Sequence, residues 1–495
     1  MATAIGNGWR SIDFIDFVKR YNESCHVISD KLIRCPTRVL VSGLSKTYVK
    51  GNGASIEFSD ARAGYGGIEL DNASNIVLSD ITISWSSGGA RDPIVAGAQR
   101  IQSFGNVAAC LDKHMGGMLK LDLPVEGVQS IGSVSVWSDN QGWPWYPSAS
   151  NDAEVYFPEG ASVTFKKGQS PCLSELADFT GQRVLLRHII CTNHAFHCLG
   201  CRNVTVERMT INSAPGMGFV FENGGSNIAL IGNKIQPRCA PLCAVPEPSL
   251  TADASHFADV EGPILLERND FGWQGDDSVN ITGLLVPATA PSSDSVKDAL
   301  KVAQPWNGRL WLMIPGSTVS LYDAGLTKLG ESKVVTVDPV NGRISLSWLP
   351  AGVHDFILVR TEGVPHNIVI RQNKFHDNRA RGILIGGSNA LIEHNTIQKV
   401  TMEAILIDAD TGPWYEGPGA QHVEIRQNTI SEVNRFPNPI YPSAISAGVS
   451  INRSHTGQIG QPIQDIVIKS NTFSNVFSNP TRLTSAGEGV TNSSF

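Results

Sequence analysis

Short runs of alternating apolar and polar residues recur along this chain, and most of them end on Asn, any residue, then a hydrophobe. Asn75-Ile-Val-Leu-Ser-Asp-Ile-Thr-Ile83 is one such run, and its copies begin at Asn203, Asn227 and Asn367 and later at Ala390, Val423 and Ile466. A period of two puts every second side chain on one face of a strand, so each run predicts a strand and the Asn after it predicts the bend into the next face. Neighbouring copies lie 227 − 203 = 24 and 395 − 373 = 22 residues apart, within the range of solenoid repeats. One such coil cannot bury its apolar face alone, whereas a stack of coils can. Stacking would place Asn233, Asn373, Asn395, Asn428 and Asn471 over one another as a ladder of side-chain amides that satisfies the turn backbone.

These spacings are too short for propeller blades, and neither a Leu-x-x-Leu-x-Leu signature nor a helix after each strand supports a horseshoe. The expected fold is therefore all-β, a right-handed parallel β-helix with small antiparallel β-domains inserted between coils. Five segments follow: 1–85, an amino-terminal cap and first coils; 86–180, an inserted antiparallel domain; 181–283, central coils; 284–364, an inserted barrel-like domain; and 365–495, the last coils. Gly132-Ser-Val-Ser-Val-Trp137 and Arg343-Ile-Ser-Leu-Ser-Trp348 are the clearest strands of the two insertions. Phe14, Ile15, Val18 and Tyr21 fall at helical spacing within Ser11 to Tyr21, which predicts a short helix closing the first coil.

Composition narrows the partners. A net charge of −7 over 495 residues leaves no broad positive field for nucleic acid. No apolar run reaches the roughly 18 to 20 residues needed to span a bilayer. No signal peptide is visible at Met1-Ala2-Thr3, yet a secreted or periplasmic location is the expectation, and association of identical copies is left open. The nine cysteines are an odd number. Cys198 and Cys201 followed by Cys239 and Cys243 have a zinc-like spacing, but a chain of this size needs no metal staple, and buried thiols or local disulfides are the expected reading. No metal or organic cofactor is expected.

The candidate chemistry is a carboxylate cluster. Asp253, in Thr251-Ala-Asp-Ala-Ser-His-Phe257, precedes Asp276 by 276 − 253 = 23 residues, one repeat, which puts it beside Asp276 and Asp277 on the neighbouring coil. Inverting glycoside hydrolysis needs a protonated acid and a carboxylate that activates water, about 6.5 to 9.5 Å apart, and crowding separates their pKa values. An arbitrary Asp-Asp more often caps a turn or binds calcium. Here Gly275 permits close approach, Trp273 and His256 supply an aromatic ring and a titratable neighbour, and a long insertion opens after Asn280-Ile-Thr-Gly283. Downstream coils bring Arg379, Arg381, Asp408, Asp410, Trp414 and Glu416 as candidate groups for sugar hydroxyls and ring stacking. Upstream, Arg187, His188, His194 and His197 precede the turn Ser213-Ala-Pro-Gly-Met217, although a structural role is the commoner one for any single histidine. Trp143 and Trp145 share the stacking role with core packing as an equal alternative.

Read in order, Leu186-Arg-His188, Ser213-Ala-Pro-Gly-Met-Gly218, the segment around Asp253, Gln274-Gly-Asp-Asp-Ser-Val-Asn280, Arg379-Ala-Arg-Gly382 and Trp414-Tyr-Glu416 resemble glycoside hydrolase family 110. The likeness runs from about residue 55 to 475. It implies an inverting, exo-acting α-galactosidase, typically α-1,3-specific on galactose-terminated glycans, working without a metal or organic cofactor. By the same likeness Asp253 is the general acid, and Asp276 and Asp277 orient and deprotonate the attacking water. Polysaccharide lyases and polygalacturonases share the β-helix, and a non-catalytic adhesin or tailspike is a further alternative.

Overall fold

The computed structural model describes residues 8–58, 67–85, 194–214, 216–237, 249–250, 252–290, 299–302, 306–412, 414–434, 443–450, 459–477 and 479–483, with strands Ala98–Ile101, Val134–Trp137, Arg183–Arg187 and Thr491–Ser493. Its body is a parallel β-helix, in which each coil contributes strands to two long sheets. Register is set by a column of branched apolar residues: Val204 pairs with Ile228, Ile228 with Ile264, Ile264 with Ile368, Ile368 with Ala390, Ala390 with Val423 and Val423 with Ile466. All of these are buried, because a one-residue slip would turn the whole apolar set to solvent. Phenylalanines fill the wider centre, with ring centroids 6.0 Å apart for Phe219 and Phe271 and 5.9 Å for Phe271 and Phe375.

The asparagine ladder is present and gains a rung that the sequence reading lacked, Asn269. Nδ2 of Asn233 donates to Oδ1 of Asn269 at 3.0 Å, and the same bond continues through Asn373, Asn395, Asn428 and Asn471 at 2.9 to 3.0 Å. The bend, however, is not made by these residues. The left-handed conformation falls one position earlier, at Gly232, Arg268, Gln372, His394, Gln427 and Ser470. The preceding residue turns the chain, which frees the Asn side chain to lie inward and tie one coil to the next.

At the amino end the helix spans Phe14–Tyr21, capped by Asp13, whose Oδ1 accepts the Ile15 N–H at 2.9 Å. It buries Phe14, Phe17 and Val18 over the first coil. Ser11 to Asp13 are not helical as expected; Arg10–Asp13 is a strand parallel to Thr47 to Lys50. Cys25 and Cys35 form a disulfide across a hairpin. Cys198 and Cys201 are buried thiols, while Cys239 and Cys243 lie outside the described residues.

Ala98–Ile101, Arg183–Arg187 and Val134–Trp137 make a three-stranded antiparallel sheet. A second antiparallel unit starts on a shared strand. Val279–Thr289 pairs within the solenoid through Val279 to Ile281, then leaves it and pairs antiparallel with Asp355–Arg360 through Leu285 to Thr289. Pairings through Thr318–Tyr322, Lys328–Asp338, Arg343–Leu346 and Leu300–Val302 lead back to the same strand and close a barrel. Its core includes Val286, Leu300, Leu310, Val319, Ile344 and Leu358. Arg360, at the barrel's exit, is paired with buried Asp259 of the solenoid, Nε to Oδ1 at 3.2 Å. Among the described residues no helix is long and apolar enough to cross a membrane.

Candidate active site

One corner of the solenoid, where each coil turns into the second sheet, carries the candidate chemistry. Gly218 N–H donates to Asp253 O, Ala254 N–H to Asp277 O, Ser278 N–H to Arg381 O and Gly382 N–H to Glu403 O, at 2.8 to 3.1 Å. These bonds put Asp253, Asp277, Arg381 and Glu403 at equivalent positions on four successive coils. A small residue follows each of them because the coils touch there; a Cβ on Gly382 would come within 2.5 Å of the Ala404 carbonyl oxygen.

Asp253, Asp276 and Asp277 each present an oxygen within 4.8 Å of the others. The two neighbouring coils do bring the three carboxylates together. Their spacing is tighter than the span expected for an acid and a water-activating base. Oδ1 of Asp253 accepts the Asp277 N–H at 3.1 Å, and its Oδ2 lies 2.7 Å from Nδ1 of His256. Asp277 is held by Arg381, backbone N–H to Oδ1 at 2.9 Å and Nη1 to Oδ2 at 2.8 Å. Arg379 donates Nε to the Gly275 carbonyl at 2.6 Å and approaches Asp276 at 3.6 Å. Both guanidiniums thus face the carboxylates and the turn that carries them. Although three clustered carboxylates are a donor set a cation can use, Arg381 and His256 already hold two of them.

Burial raises the Asp253 carboxyl above the usual range, against its hydrogen bond to His256 and with the Asp276 charge adding to the rise. Burial and the other two carboxylates likewise push Asp277 up, opposed by Arg381. His256 is pulled down by burial, but its bond to Asp253 and the surrounding carboxylates carry it to about 9. Crowding of this kind keeps a proton in the cluster near neutral pH. Both oxygens of Asp277 accept N–H groups, so that proton belongs to the Asp253 and His256 pair.

His256 and Asn280 are in register on adjacent strands beside the trio, and the buried Oδ1 of Asn280 has no hydrogen-bond partner. Strand Glu416–Gly417 crosses back antiparallel to both Val279–Thr289 and Ile405–Asp410 and forms a wall. Burial raises Glu416, opposed chiefly by His256, which ties the carboxyl to this site. Trp414 stands 64% exposed at the wall's edge. Asp410 accepts the N–H groups of Gly412 and Trp414 and so shapes that loop, while Asp408 lies close enough for its charge to act on Arg381 and Glu403. Trp273 adopts a left-handed φ of 69° and packs edge-on to His376 at 6.3 Å. His188, Trp143 and Trp145 lie outside the described residues, as does the side chain of Arg187, whose strand is described.

Residues 355–495 match the family model described as right handed beta helix region. Over 472 residues the chain is 23% identical to alpha-1,3-galactosidase A of Bacteroides fragilis (strain YCH46), covering 89% of this chain and 72% of that one. Alpha-1,3-galactosidase A of Shewanella woodyi is 27% identical over 245 residues, 48% of this chain and 40% of its own. The chain is thus similar to proteins named alpha-1,3-galactosidase, at 23 to 28% identity. The likeness to glycoside hydrolase family 110 and the right-handed β-helix expected from the repeats both stand on these matches. An exopolygalacturonase from Thermotoga maritima overlaps 94% of this chain and 81% of its own at 11% identity and a TM-score of 0.38, too distant to bear on activity.

One group escaped the sequence reading, and another, whose histidines were named there, gains its acid partners only in the structure. Glu403 is fully buried, 3.6 Å from Arg381, and among the described residues no other residue offers its carboxyl oxygens a hydrogen bond. Its signal was a spacing, 403 − 381 = 22, one repeat after Arg381. The other is an acid and imidazole row upstream. His197 sits between Glu69, at 3.9 Å, and Glu222, at 3.5 Å, and its ring meets His194 edge-on at 5.2 Å. Burial and the His197 charge take His194 down to about 3, and its Nδ1 accepts the Met217 N–H, so His194 holds the turn as a neutral ring.

Proposed function

We propose that this protein hydrolyses terminal α-linked galactose, α-1,3 in linkage, from galactose-terminated oligosaccharides or polysaccharides, acting from the chain end and with inversion. The observation that carries the reading is the Asp253 and His256 pair set against Asp276 and Asp277 within 4.8 Å. Asp253 gives its proton to the glycosidic oxygen as the bond from the galactose anomeric carbon breaks. Water attacks that carbon from the opposite face and its proton passes to Asp276, which is partly exposed, while Asp277 is fixed by Arg381 and orients the water. Arg379, Arg381, Asn280, Trp273, Trp414, Asp408 and Glu416 are the proposed sugar-facing groups. The Cys25–Cys35 disulfide supports a secreted or periplasmic location.

The 4.8 Å spacing favours a second reading on stereochemistry alone: retention with Asp276 as nucleophile, since carboxyl groups in retaining enzymes stand about 5 to 5.5 Å apart. Aryl α- and β-galactosides, then galactose-terminated oligosaccharides, assayed with NMR of the first-formed sugar, separate the readings. Inversion releases β-galactose first and retention α-galactose. Asp276→Asn is expected to lower turnover by about 10³-fold with sugar binding kept. An unsaturated product absorbing in the ultraviolet would make the protein a lyase, and a glycan-related function untouched by Asp276→Asn would make it a binding protein.

A further inference from the structure

One side chain of the inserted barrel, Arg309, reaches the wall of the site. We propose that Arg309 is a positioning residue, through which the barrel sets the placement of Glu416 against the Asp253 and His256 pair; this rests on the galactosidase reading of the same site. Arg309 lies in the 3₁₀ segment Trp306–Leu312, whose Leu310 and Leu312 are buried. Its Nη1 donates to the carbonyl of Leu285 at 2.9 Å and to that of Tyr415 at 2.6 Å, and its Nη2 donates to the carbonyl of Trp414 at 2.9 Å. One planar group therefore joins the strand leaving the catalytic coil to two consecutive residues of the wall.

The wall needs such a tie. Tyr415 adopts a left-handed φ of 53°, a conformation that a bulky residue keeps only when its surroundings impose it. Its carbonyl accepts the Leu285 N–H as well as Arg309, which fixes the peptide just before Glu416. Past Glu416, Pro418 and Gly419 border a crevice of about 400 Å³ between the barrel and the last coils. Tyr415 packs against the cluster of Leu285, Leu326, Ile357, Val359 and Ala409, so the anchor is shared by barrel and solenoid. Glu416 then faces His256 and Asp253, where its charge favours a proton on the imidazole. A lysine has no planar fork to bridge three carbonyls on two segments.

Were Arg309 mere mortar between the barrel and the coils, its loss would lower the melting temperature without touching the chemistry of Glu416. The test is a double-mutant cycle on Arg309→Ala and Glu416→Gln with an aryl α-galactoside, with Arg309→Lys and Arg309→Gln as gentler variants should Arg309→Ala fail to fold. Arg309→Ala is expected to lower kcat/KM by about 10- to 100-fold, mainly in kcat, to move the alkaline limb of the pH profile, and to recover in part with added methylguanidinium. The double variant is expected to be no slower than Glu416→Gln alone. Hydrogen exchange over residues 411–417 is expected to quicken in Arg309→Ala or Arg309→Gln while the barrel strands stay protected. Multiplying losses in the double variant, or unchanged exchange in the wall, would overturn the proposal. Exchange needs no substrate, so it still decides the positioning role if the wild-type protein cleaves no galactoside.

Discussion

The backbone N–H of Asp277 donates to Oδ1 of Asp253 across 3.1 Å, so the turn of one coil aims the carboxyl group of the coil before it. Lateral stacking, which elsewhere only stabilises the solenoid, here orients the proposed acid. The remaining oxygen of Asp253 is left to His256, and the proton they share is the one the proposed mechanism spends.

That proton gives a pH signature. His256 holds it up to about 9, so the acid step is expected to fail as pH rises through that value. In His256→Asn the carboxyl must hold the proton alone. Burial and Asp276 raise it and the imidazole no longer lowers it, so the alkaline limb of kcat/KM is expected to leave its wild-type position. A profile from pH about 5 to about 10 reads it, and a limb that stays in place would remove His256 from the acid step.

Glu403 predicts a pH-dependent stability. Burial raises its carboxyl from 4.5 to about 7, against the pull of Arg381. The folded state therefore binds the proton more tightly than the unfolded chain. Its contribution is complete below about 4.5 and is lost as pH rises through about 7. Glu403→Gln cannot ionise, so its stability relative to wild type is expected to climb across that window by up to about 3 kcal/mol and then level off. Urea unfolding at several pH values measures this; a constant difference would show that Glu403 is not buried as an acid.

Asn395 tests the ladder. Its Nδ2 donates to Ile370 O and Asn428 Oδ1, and its Oδ1 accepts both the N–H and Nδ2 of Asn373. Asn395→Ala strands several buried polar groups and is expected to cost at least about 2 kcal/mol. The urea midpoint should fall with an unchanged slope. A loss under about 0.5 kcal/mol, the usual size at an exposed position, would show that the ladder is ornamental.

The solenoid and the meeting of Asp253 with Asp276 and Asp277 were legible because both depend on spacing alone, and repeats of 22 to 24 residues survive in the sequence. Glu403 obeys the same rule yet was passed over, since a single Glu after Met402 carries no motif and its partner Arg381 becomes visible only once the coils are stacked. The bend was misplaced by one residue because a left-handed position tolerates Arg, Gln, His or Ser when its neighbours hold it, leaving no compositional trace. Arg309 was invisible for a different reason: it acts through backbone carbonyls, which no sequence pattern marks.

Ile264 and Ile368 are rung neighbours although 368 − 264 = 104 residues separate them, most of the interval being the barrel. The entropy of closing a loop grows only logarithmically, about 0.6 kcal/mol for each doubling of length, so the stack barely registers the size of what it extrudes there. The carboxylate floor belongs to the stack, and so does the strand Glu416–Gly417 that walls it, which the excursion only braces through Arg309. A longer or shorter module above this corner would therefore cost the stack little, and the acids beneath would stay where the coils put them.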